Sequence, residues 1–360
     1  MKKVLKALLI LVLVVVFAVG GLLGWLTATE FRPADVEQLD FFAEPEQEAP
    51  QLVDGQSLNI LSWNIGYAGL GAGSDFFMDG GTSAMAASPD DVAAYLAGIA
   101  AQIGLGDYDL VMLQEVDANS KRTYGVDERE FLTIGQSAYA LNYSCPFVPI
   151  PWPPMGKVNS GLMTTSEYHM SKAERVSLPC PFSWPLRIAN LKRCMLVTRL
   201  PIEGSDKELV LVNLHLEAYD DGEGKIAQTV QVSWYLQQEY EKGNYVIAAG
   251  DFNQSFPGAL ERYPLIDETY WTPGILESEL LPDGFTYVWD LETPSCRLLN
   301  QPYDPSDTEH TQYYIIDGYA VSPNVTVEAV ETLDLAFADS DHNPVKLRVT
   351  LGEEGMNTED

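Results

Sequence analysis

Short apolar runs, each about the length of a β-strand, recur along most of the chain and constrain its fold more than any other feature. Runs of this kind, bounded by turn-forming residues, are typical of buried strands. Two longer segments between them, Asp90 to Leu105 and Gly224 to Gly243, have the apolar spacing of helices. Strands interleaved with helices predict an α/β domain with layered sheets. The predicted strands are LNILSWNI, LVMLQEV, GLMTTS, CMLVTRL, ELVLVNLHL, YVIAAG, YYIIDGYAV, VTVEAVETL and VKLRVTL.

The amino-terminal segment differs from these strands in length. Three lysines precede an uncharged run from Ala7 to Leu26, which matches the ~20 residues that a helix needs to span a bilayer. A cleaved signal peptide is the alternative, but its apolar core is only about 7–15 residues long, and GWLTATE offers no clear small-x-small cleavage site. We therefore expect an uncleaved single-pass anchor over residues 1–27. Basic residues before the span and acidic residues after it predict a domain on the extracytoplasmic side of the cell membrane.

Residues 28–57 are acidic and rich in proline, without helical or strand periodicity, and we interpret them as a tether. The folded domain is expected over residues 58–351, followed by an acidic tail at 352–360. A hydrophobic content of 46% is ample for the core of such a domain.

The net charge of the chain indicates which classes of partner it can bind. The chain has 21 basic and 52 acidic residues and a formal net charge of −31, which disfavours non-specific binding of nucleic acid. The basic pairs Lys121–Arg122 and Lys192–Arg193 are thin patches, and we interpret them as solvent-exposed. Nucleic acid is therefore the less favoured partner, and no protein partner is implied.

The four cysteines, Cys145, Cys180, Cys194 and Cys296, lack the spacing of a zinc site. An extracytoplasmic location permits disulfides, and Cys145 and Cys180 share the context CPF in two Pro-rich loops. Their pairing is one prediction, and buried free thiols are the alternative.

Polar residues of the types that bind ligands stand at the ends of many predicted strands. In α/β proteins this edge of a sheet is where ligands collect. Each residue alone is consistent with a turn, but their recurrence favours a common site. Carboxylate and amide oxygens suit Mg²⁺, Mn²⁺ or Ca²⁺, and a histidine beside a carboxylate can move protons. The residues are Asn64, Gln114, Glu115, His215, Asp251, Asn253, Asp317, Asp341 and His342.

The motifs WNIG, LQEV, NSGLMTTSEY, NLHLEAYD, GDFNQ, YIIDGY and SDHNPV follow one another between Leu58 and Leu351. With them the chain resembles the endonuclease/exonuclease/phosphatase superfamily, which contains DNase I-like nucleases, apurinic endonucleases, inositol polyphosphate 5-phosphatases and neutral sphingomyelinases. The resemblance implies a DNase I-like α/β fold, a four-layer sandwich of two packed mixed β-sheets flanked by helices. It also implies a metal site of Asn64, Glu115 and Asp341, with Glu115 as the direct ligand of Mg²⁺ or Mn²⁺.

The same resemblance implies the catalytic roles. Asp251 would orient or deprotonate the attacking water, and Asn253 would donate a hydrogen bond to a phosphoryl oxygen. His342, held by Asp317, would stabilise charge in the transition state. His215 would contact phosphate or assist the leaving group. Asn159 in NSG is a candidate for a further phosphate contact, with a strand-entry turn as the alternative.

We accordingly expect a membrane-anchored, metal-dependent hydrolase of a small or lipid-linked phosphoester, acting by in-line attack of water. A DNase I-like nuclease and a non-catalytic binding module on the same fold are the alternatives. His169 and His310 are expected in solvent. The Gly-rich segment 69–88 is expected to be a lid or a surface insertion. The Pro-rich segments 144–157 and 178–187 are expected to be packed loops, an apolar wall of the site or a membrane contact.

Overall fold

The computed structural model describes residues 1–43, 49–220 and 222–352, so the predicted acidic tail lies outside the described residues except for Gly352. The helices are α1 Lys2–Ala28, α2 Pro89–Leu105, α3 Glu223–Tyr240 and α4 Ala259–Arg262. The strands are β1 Val36–Leu39, β2 Phe41–Ala43, β3 Ser57–Asn64, β4 Leu110–Asp117, β5 Gln136–Val148, β6 Gly156–Ser166, β7 Lys172–Ser177, β8 Cys194–Pro201, β9 Glu208–His215, β10 Tyr245–Asp251, β11 Gln254–Ser255, β12 Gly274–Ile275, β13 Thr286–Val288, β14 Cys296–Arg297, β15 Tyr313–Tyr314, β16 Asp317–Val321, β17 Val325–Thr332 and β18 Val345–Leu351.

Most strands belong to two seven-stranded sheets. Sheet one has the order β1-β7-β8-β9-β10-β16-β13, and sheet two has the order β17-β18-β3-β4-β6-β5-β2. One neighbouring pair in each sheet is parallel, β9 with β10 and β3 with β4, and the other pairs are antiparallel. The prediction of two packed mixed sheets with helices outside is confirmed.

The layering follows from the alternation of side chains along buried strands. In β9, Leu209 and Leu211 face the other sheet, whereas Val210 and Val212 belong to the cluster that contains Val232 and Leu236 of α3. Sheet two repeats the arrangement, because its inner face joins the same central core and its outer face packs on α2. Fully burying such a side chain stabilises the fold by roughly 1.5–3 kcal/mol.

Polar contacts fix the two sheets relative to each other just below the edge where polar residues collect. Gln114 of β4 donates to the Asn213 Oδ1 atom at 2.8 Å, and the Asn213 amide donates to the backbone carbonyls of Leu113 and Met163. Since unpaired polar groups are costly in a core, these contacts favour one register of the sheets.

The segment predicted to be a tether supplies an edge strand to each sheet. β1 pairs with β7 of sheet one, and β2 pairs with β5 of sheet two, so the prediction differs from the structure over residues 36–43. An edge strand pairs on one side only and stays half exposed, so acidic residues are tolerated and the apolar signal is weak. Residues 44–48 lie outside the described residues. Leu52 is fully buried, so the folded part begins before Leu58.

All four cysteines are free thiols, so the predicted Cys145–Cys180 pairing is wrong. The Cys145 thiol is buried and lies 3.9 Å from the carbonyl oxygen of Ile188, while that of Cys180 lies 3.9 Å from the carbonyl of Leu191. Each thiol is thus directed at a different backbone group.

Helix α1 is the one helix of the described segments that is long and apolar enough to cross a membrane. Its apolar residues from Val4 to Val19 are exposed, whereas Leu26 is buried against the folded domain. The chain just after the helix is also held, because Glu30 forms an ion pair with Arg187 at 2.8 Å.

Candidate active site

Six of the predicted polar residues line a cavity of about 400 Å³ at one edge of the sandwich: Glu115, His215, Asp251, Asn253, Asp341 and His342. Strand pairing brings them there. Asp251 at the end of β10 is in register with His215 at the end of the parallel β9 and with Asp317 at the start of the antiparallel β16. Three residues far apart in sequence therefore become neighbours at the edge of sheet one.

Gly250 lets Asp251 reach this position. Its φ of +146° is rare for residues with a side chain, and a Cβ atom there would lie 1.9 Å from the Leu214 carbonyl oxygen of β9. Glycine alone permits the close strand approach that sets Asp251 beside His215.

Glu115 is directed at the cavity by a β-bulge in β4. The pairing of β4 with β6 shifts between Leu113 and Val116, and Glu115 has a φ of +56°. A non-glycine residue in this left-handed region is strained, and such strain concentrates at functional sites. The bulge sends Gln114 into the core and leaves the half-buried Glu115 lining the cavity.

Asn64 links the two sheets next to the cavity, through two carboxylates that line it. Its side-chain amide donates to Glu115 Oε1 at 3.2 Å and to Asp251 Oδ2 at 3.1 Å. Its Oδ1 atom accepts a hydrogen bond from the Gly66 backbone at 3.1 Å. The Asn64 side chain is thus fully occupied and holds two carboxylates in place.

His342 is oriented by a buried carboxylate. Asp317 Oδ2 accepts hydrogen bonds from His342 Nδ1 at 2.8 Å and from Ser295 Oγ at 2.7 Å. The His342 Nε2 atom lies 3.8 Å from both Asp251 Oδ2 and Asp341 Oδ2. Burial opposes protonation, but the nearby acidic groups, Asp317 foremost with Cys296 and Asp341, together outweigh it, so the pKa of His342 is raised well above its usual value.

The acids around the cavity are crowded. Burial, reinforced by Asp317, raises the pKa of Asp251 to about 7. Burial also raises the pKa of Asp341 to about 6, and Glu115 adds to the effect. A buried cluster of carboxylates is most stable when a cation or protons compensate its charge.

His215 has the opposite character. Its Nε2 atom lies 3.4 Å from Asp251 Oδ2. Burial and the nearby Arg193 lower its pKa well below the usual value, so the imidazole is neutral. His215 lines the cavity, and its buried Nδ1 atom has no hydrogen-bond partner among the described residues.

The potential ligand atoms at the cavity suit a hard divalent cation. Glu115 and Asp341 offer carboxylate oxygens, which Mg²⁺ and Mn²⁺ prefer, and Asn64 holds Glu115 in place. Two tighter groups of potential ligands, Asp251/Asp317/His342 and Cys296/Asp341/His342, also occur within the described chain. In the first group, Asp317 and His342 are hydrogen-bonded to each other. This group therefore suits the orientation of a histidine better than the binding of an ion.

Asn253 lines the cavity, but its amide donates to the Leu216 backbone carbonyl at 2.8 Å.

Asn159 lies away from this cavity. Its Oδ1 atom accepts a hydrogen bond from Ser144, and it lines a second cavity with Arg175 and Arg129, while the next residue, Ser160, lines the first. Successive side chains of a strand point to opposite faces, so the structure does not bring Asn159 to the site.

Three buried arginines, Arg122, Arg193 and Arg297, line the cavity. Arg122 forms a two-point ion pair with Asp117 at 2.8 and 2.9 Å, and Arg193 lies 3.5 Å from Glu217. The interpretation of both as solvent-exposed is wrong, because each has a buried carboxylate partner. The contacts of Arg122 with Asp117 and of Arg193 with Glu217 are set by the tertiary structure, so the basic pairs in the sequence do not indicate them.

Replacing Arg122 with alanine should destabilise the fold by about 3–5 kcal/mol, because Asp117 would remain buried without its partner. Denaturant unfolding of the solubilised full chain measures the change. The matched control is Lys121→Ala at the exposed neighbouring position, which we expect within ~0.5 kcal/mol of the wild type. Equal effects at the two positions would show that the ion pair is unimportant.

The Gly-rich segment 69–88 forms part of the cavity wall rather than an independent surface insertion. Phe76, Phe77 and Asp79 line the cavity, and Asp79 accepts a hydrogen bond from the Tyr219 hydroxyl at 2.9 Å. Arg297 donates to the Gly71 carbonyl at 2.9 Å, which holds the segment against the folded domain. Neither of the remaining histidines, the half-buried His169 and the exposed His310, lines the cavity.

Comparison with known proteins agrees with this geometry. Residues 61–351 match the model of the Endonuclease/Exonuclease/phosphatase family. No curated protein sequence matches the chain significantly. Among solved structures, an endonuclease/exonuclease/phosphatase from Beutenbergia cavernae DSM 12333 is 18% identical, with a TM-score of 0.52 over 82% of this chain and 72% of that one. A family protein from Bacteroides thetaiotaomicron is 16% identical, with a TM-score of 0.50 over 83% and 99% of the two chains. These structures support the fold.

Proposed function

The chain belongs to the endonuclease/exonuclease/phosphatase family, and from this premise we propose that it is a membrane-anchored, divalent-metal-dependent phosphoric ester hydrolase acting on a small or lipid-linked phosphoester. The observation that carries the proposal is the convergence of Glu115, Asp251, Asp341, His215 and His342 on one cavity. A binding module would have no need of this complete set of proton-transfer and metal-binding groups.

The proposed reaction is in-line attack of water on phosphorus. Glu115 and Asp341 would hold Mg²⁺ or Mn²⁺, and the bound cation would neutralise charge on the phosphoryl oxygens. Asp251 orients the attacking water and accepts its proton, because its carboxylate is fixed by Asn64 and by the Asn253 backbone.

The histidines complete the site by acting on the phosphate oxygens. Protonated His342, held by Asp317, donates from Nε2 and stabilises the charge that develops in the transition state. Neutral His215, whose Nε2 atom lies 3.4 Å from the Asp251 Oδ2 atom, would contact a phosphoryl or leaving-group oxygen. Asn253 holds the turn after β10 to Leu216, which keeps the Asp251 loop rigid.

The nuclease alternative predicts a different electrostatic surface. Non-specific DNA binding draws its affinity from Lys and Arg, with a salt slope near −0.9 for each neutralised phosphate. The arginines at this cavity, Arg122, Arg193 and Arg297, are buried and bonded to carboxylates or carbonyls. On a chain with a net charge of −31, they do not form an exposed stripe.

We therefore expect the Mg²⁺-loaded full chain to hydrolyse p-nitrophenyl phosphate esters or a phospholipid ester, and to cleave plasmid DNA weakly and with strong sensitivity to salt. Parallel assays of p-nitrophenyl esters, sphingomyelin, inositol phosphates and plasmid DNA measure the preference. Efficient plasmid nicking at physiological salt, without activity on any small or lipid ester, would favour the nuclease.

The anchor and its orientation are part of the proposal. In intact cells that express the chain, a membrane-impermeant maleimide should label Leu105→Cys, because this position is 87% exposed on the folded domain. Lys2→Cys should be labelled only after permeabilisation, and the wild type gives the background from its own cysteines. Labelling of Lys2→Cys alone in intact cells would reverse the orientation.

A further inference from the structure

Exposed apolar side chains surround the point where α1 leaves the folded domain. Two Pro-rich loops present Ile150, Trp152, Trp184 and Leu186 with exposures of 62%, 89%, 56% and 68%, and we call these four residues the loop patch. Trp184 donates from its indole nitrogen to the Thr27 hydroxyl at 3.1 Å. The patch therefore borders the end of the helix proposed as the anchor.

The same region forms one wall of the active-site cavity. Leu22, Leu23 and Leu26 of α1 belong to one apolar cluster with Val148 and Met155, and these last two residues also line the cavity. Ile150 of the loop patch lines the cavity as well. The end of α1, the loop patch and the cavity wall are thus continuous.

The length of the exposed helix shows where the bilayer surface falls. The stretch from Val4 to Val19 is exposed and rises ~1.5 Å per residue, which gives about 24 Å. A bilayer has a hydrocarbon core of ~30 Å, so lipid must extend up to the turns that pack against the domain. At that level the loop patch would reach the membrane interface, where tryptophan is the favoured side chain.

We propose that the loop patch docks on the interface of the same bilayer that α1 spans, and that it holds the active-site cavity at the level of the lipid head groups. The proposal rests on the proposed anchor and deepens the proposed function. It assigns the substrate to the class of membrane-embedded phosphoesters, with the phosphate at His342 and the apolar part of the lipid along Val148 and Ile150. Soluble esters would reach the same cavity without using the patch.

Docking is tested without reference to catalysis. The full-length chain is reconstituted into phosphatidylcholine vesicles that contain phospholipid brominated on the upper acyl chain, and tryptophan fluorescence is recorded. Trp152→Phe with Trp184→Phe should remove a large part of the quenched emission. Trp234→Phe, at an equally exposed tryptophan of α3, should leave the quenched part unchanged. Quenching that is unaffected by the double variant, or that is lost with Trp234, would overturn the proposal.

Catalysis provides the second measurement. Trp152→Ser with Trp184→Ser should lower hydrolysis of a phosphoester lipid in vesicles by about tenfold, and it should leave hydrolysis of a soluble p-nitrophenyl ester unchanged. The matched control is Leu105→Ser, which lies before the start of β4 and thus at the opposite edge of sheet two from the site. Equal losses on both substrates would overturn the proposal. A wild type inactive on both esters would refute the proposed function, while fluorescence would still decide the docking.

Discussion

Replacing His342 with alanine should lower turnover of a phosphoester by at least ~10²-fold, the scale expected for a group that stabilises transition-state charge. The reason lies in its position. Its Nδ1 atom is bonded to Asp317, and its Nε2 atom lies at the cavity, 3.8 Å from Asp251 and Asp341. Steady-state kinetics on a soluble ester should show the loss mainly in kcat, because the developing charge is greatest in the transition state.

The matched control is His169→Ala, at a histidine that does not line the cavity. We expect its kcat to stay within twofold of the wild type. His215→Ala should resemble His342→Ala in size, since His215 lies 3.4 Å from Asp251 at the same cavity. Similar losses at His169 and His342 would show that the site has been placed wrongly.

Replacing Glu115 with glutamine should lower activity at limiting Mg²⁺ by about 10²–10³-fold, because the bound metal accounts for several kcal/mol of transition-state stabilisation. Glutamine keeps the shape and can still accept the hydrogen bond from Asn64, so the fold should persist. The loss should shrink as Mg²⁺ is raised, because the variant weakens metal binding rather than proton transfer. Activity measured over a range of Mg²⁺ concentrations gives the half-saturating value.

Glu167→Gln is the matched control, at an exposed glutamate just after β6. It should leave both the activity and the Mg²⁺ dependence unchanged. If Glu115→Gln were fully active with the wild-type Mg²⁺ requirement, Glu115 would not be a metal ligand.

Sequence patterns predicted the parts of the fold that are buried on both faces. The strands that lead into Glu115, His215 and Asp251 are mostly apolar, as in β9 and β10, where all or nearly all residues are buried. The ends of such runs are easy to locate, so the polar residues that follow them could be assigned to one edge. The helices α2 and α3 were likewise predicted to within a few residues at each end.

The missed elements lack this signal for physical reasons. β7 has the sequence KAERVS and buries Arg175, whose guanidinium donates to the Leu141 and Lys192 carbonyls. A charged residue at a buried position does not produce the apolar pattern of a strand. β1 and β2 are half-exposed edges. The burial of Arg122 depends on its ion pair with Asp117, and the side-chain direction of Asn159 depends on the register of its strand. Partners and register are set by tertiary structure, which local patterns do not report.

The most direct test of the account is chelation followed by metal replacement on the full-length chain, with hydrolysis of a soluble p-nitrophenyl phosphate ester as the readout. Hydrolysis should vanish with the chelator and return with Mg²⁺ or Mn²⁺, because the ligands at Glu115 and Asp341 are carboxylate oxygens. At a limiting Mg²⁺ concentration, Glu115→Gln should stay about 10²–10³-fold less active than the wild type. Activity that survives chelation, or that returns with Zn²⁺ alone, would contradict the account.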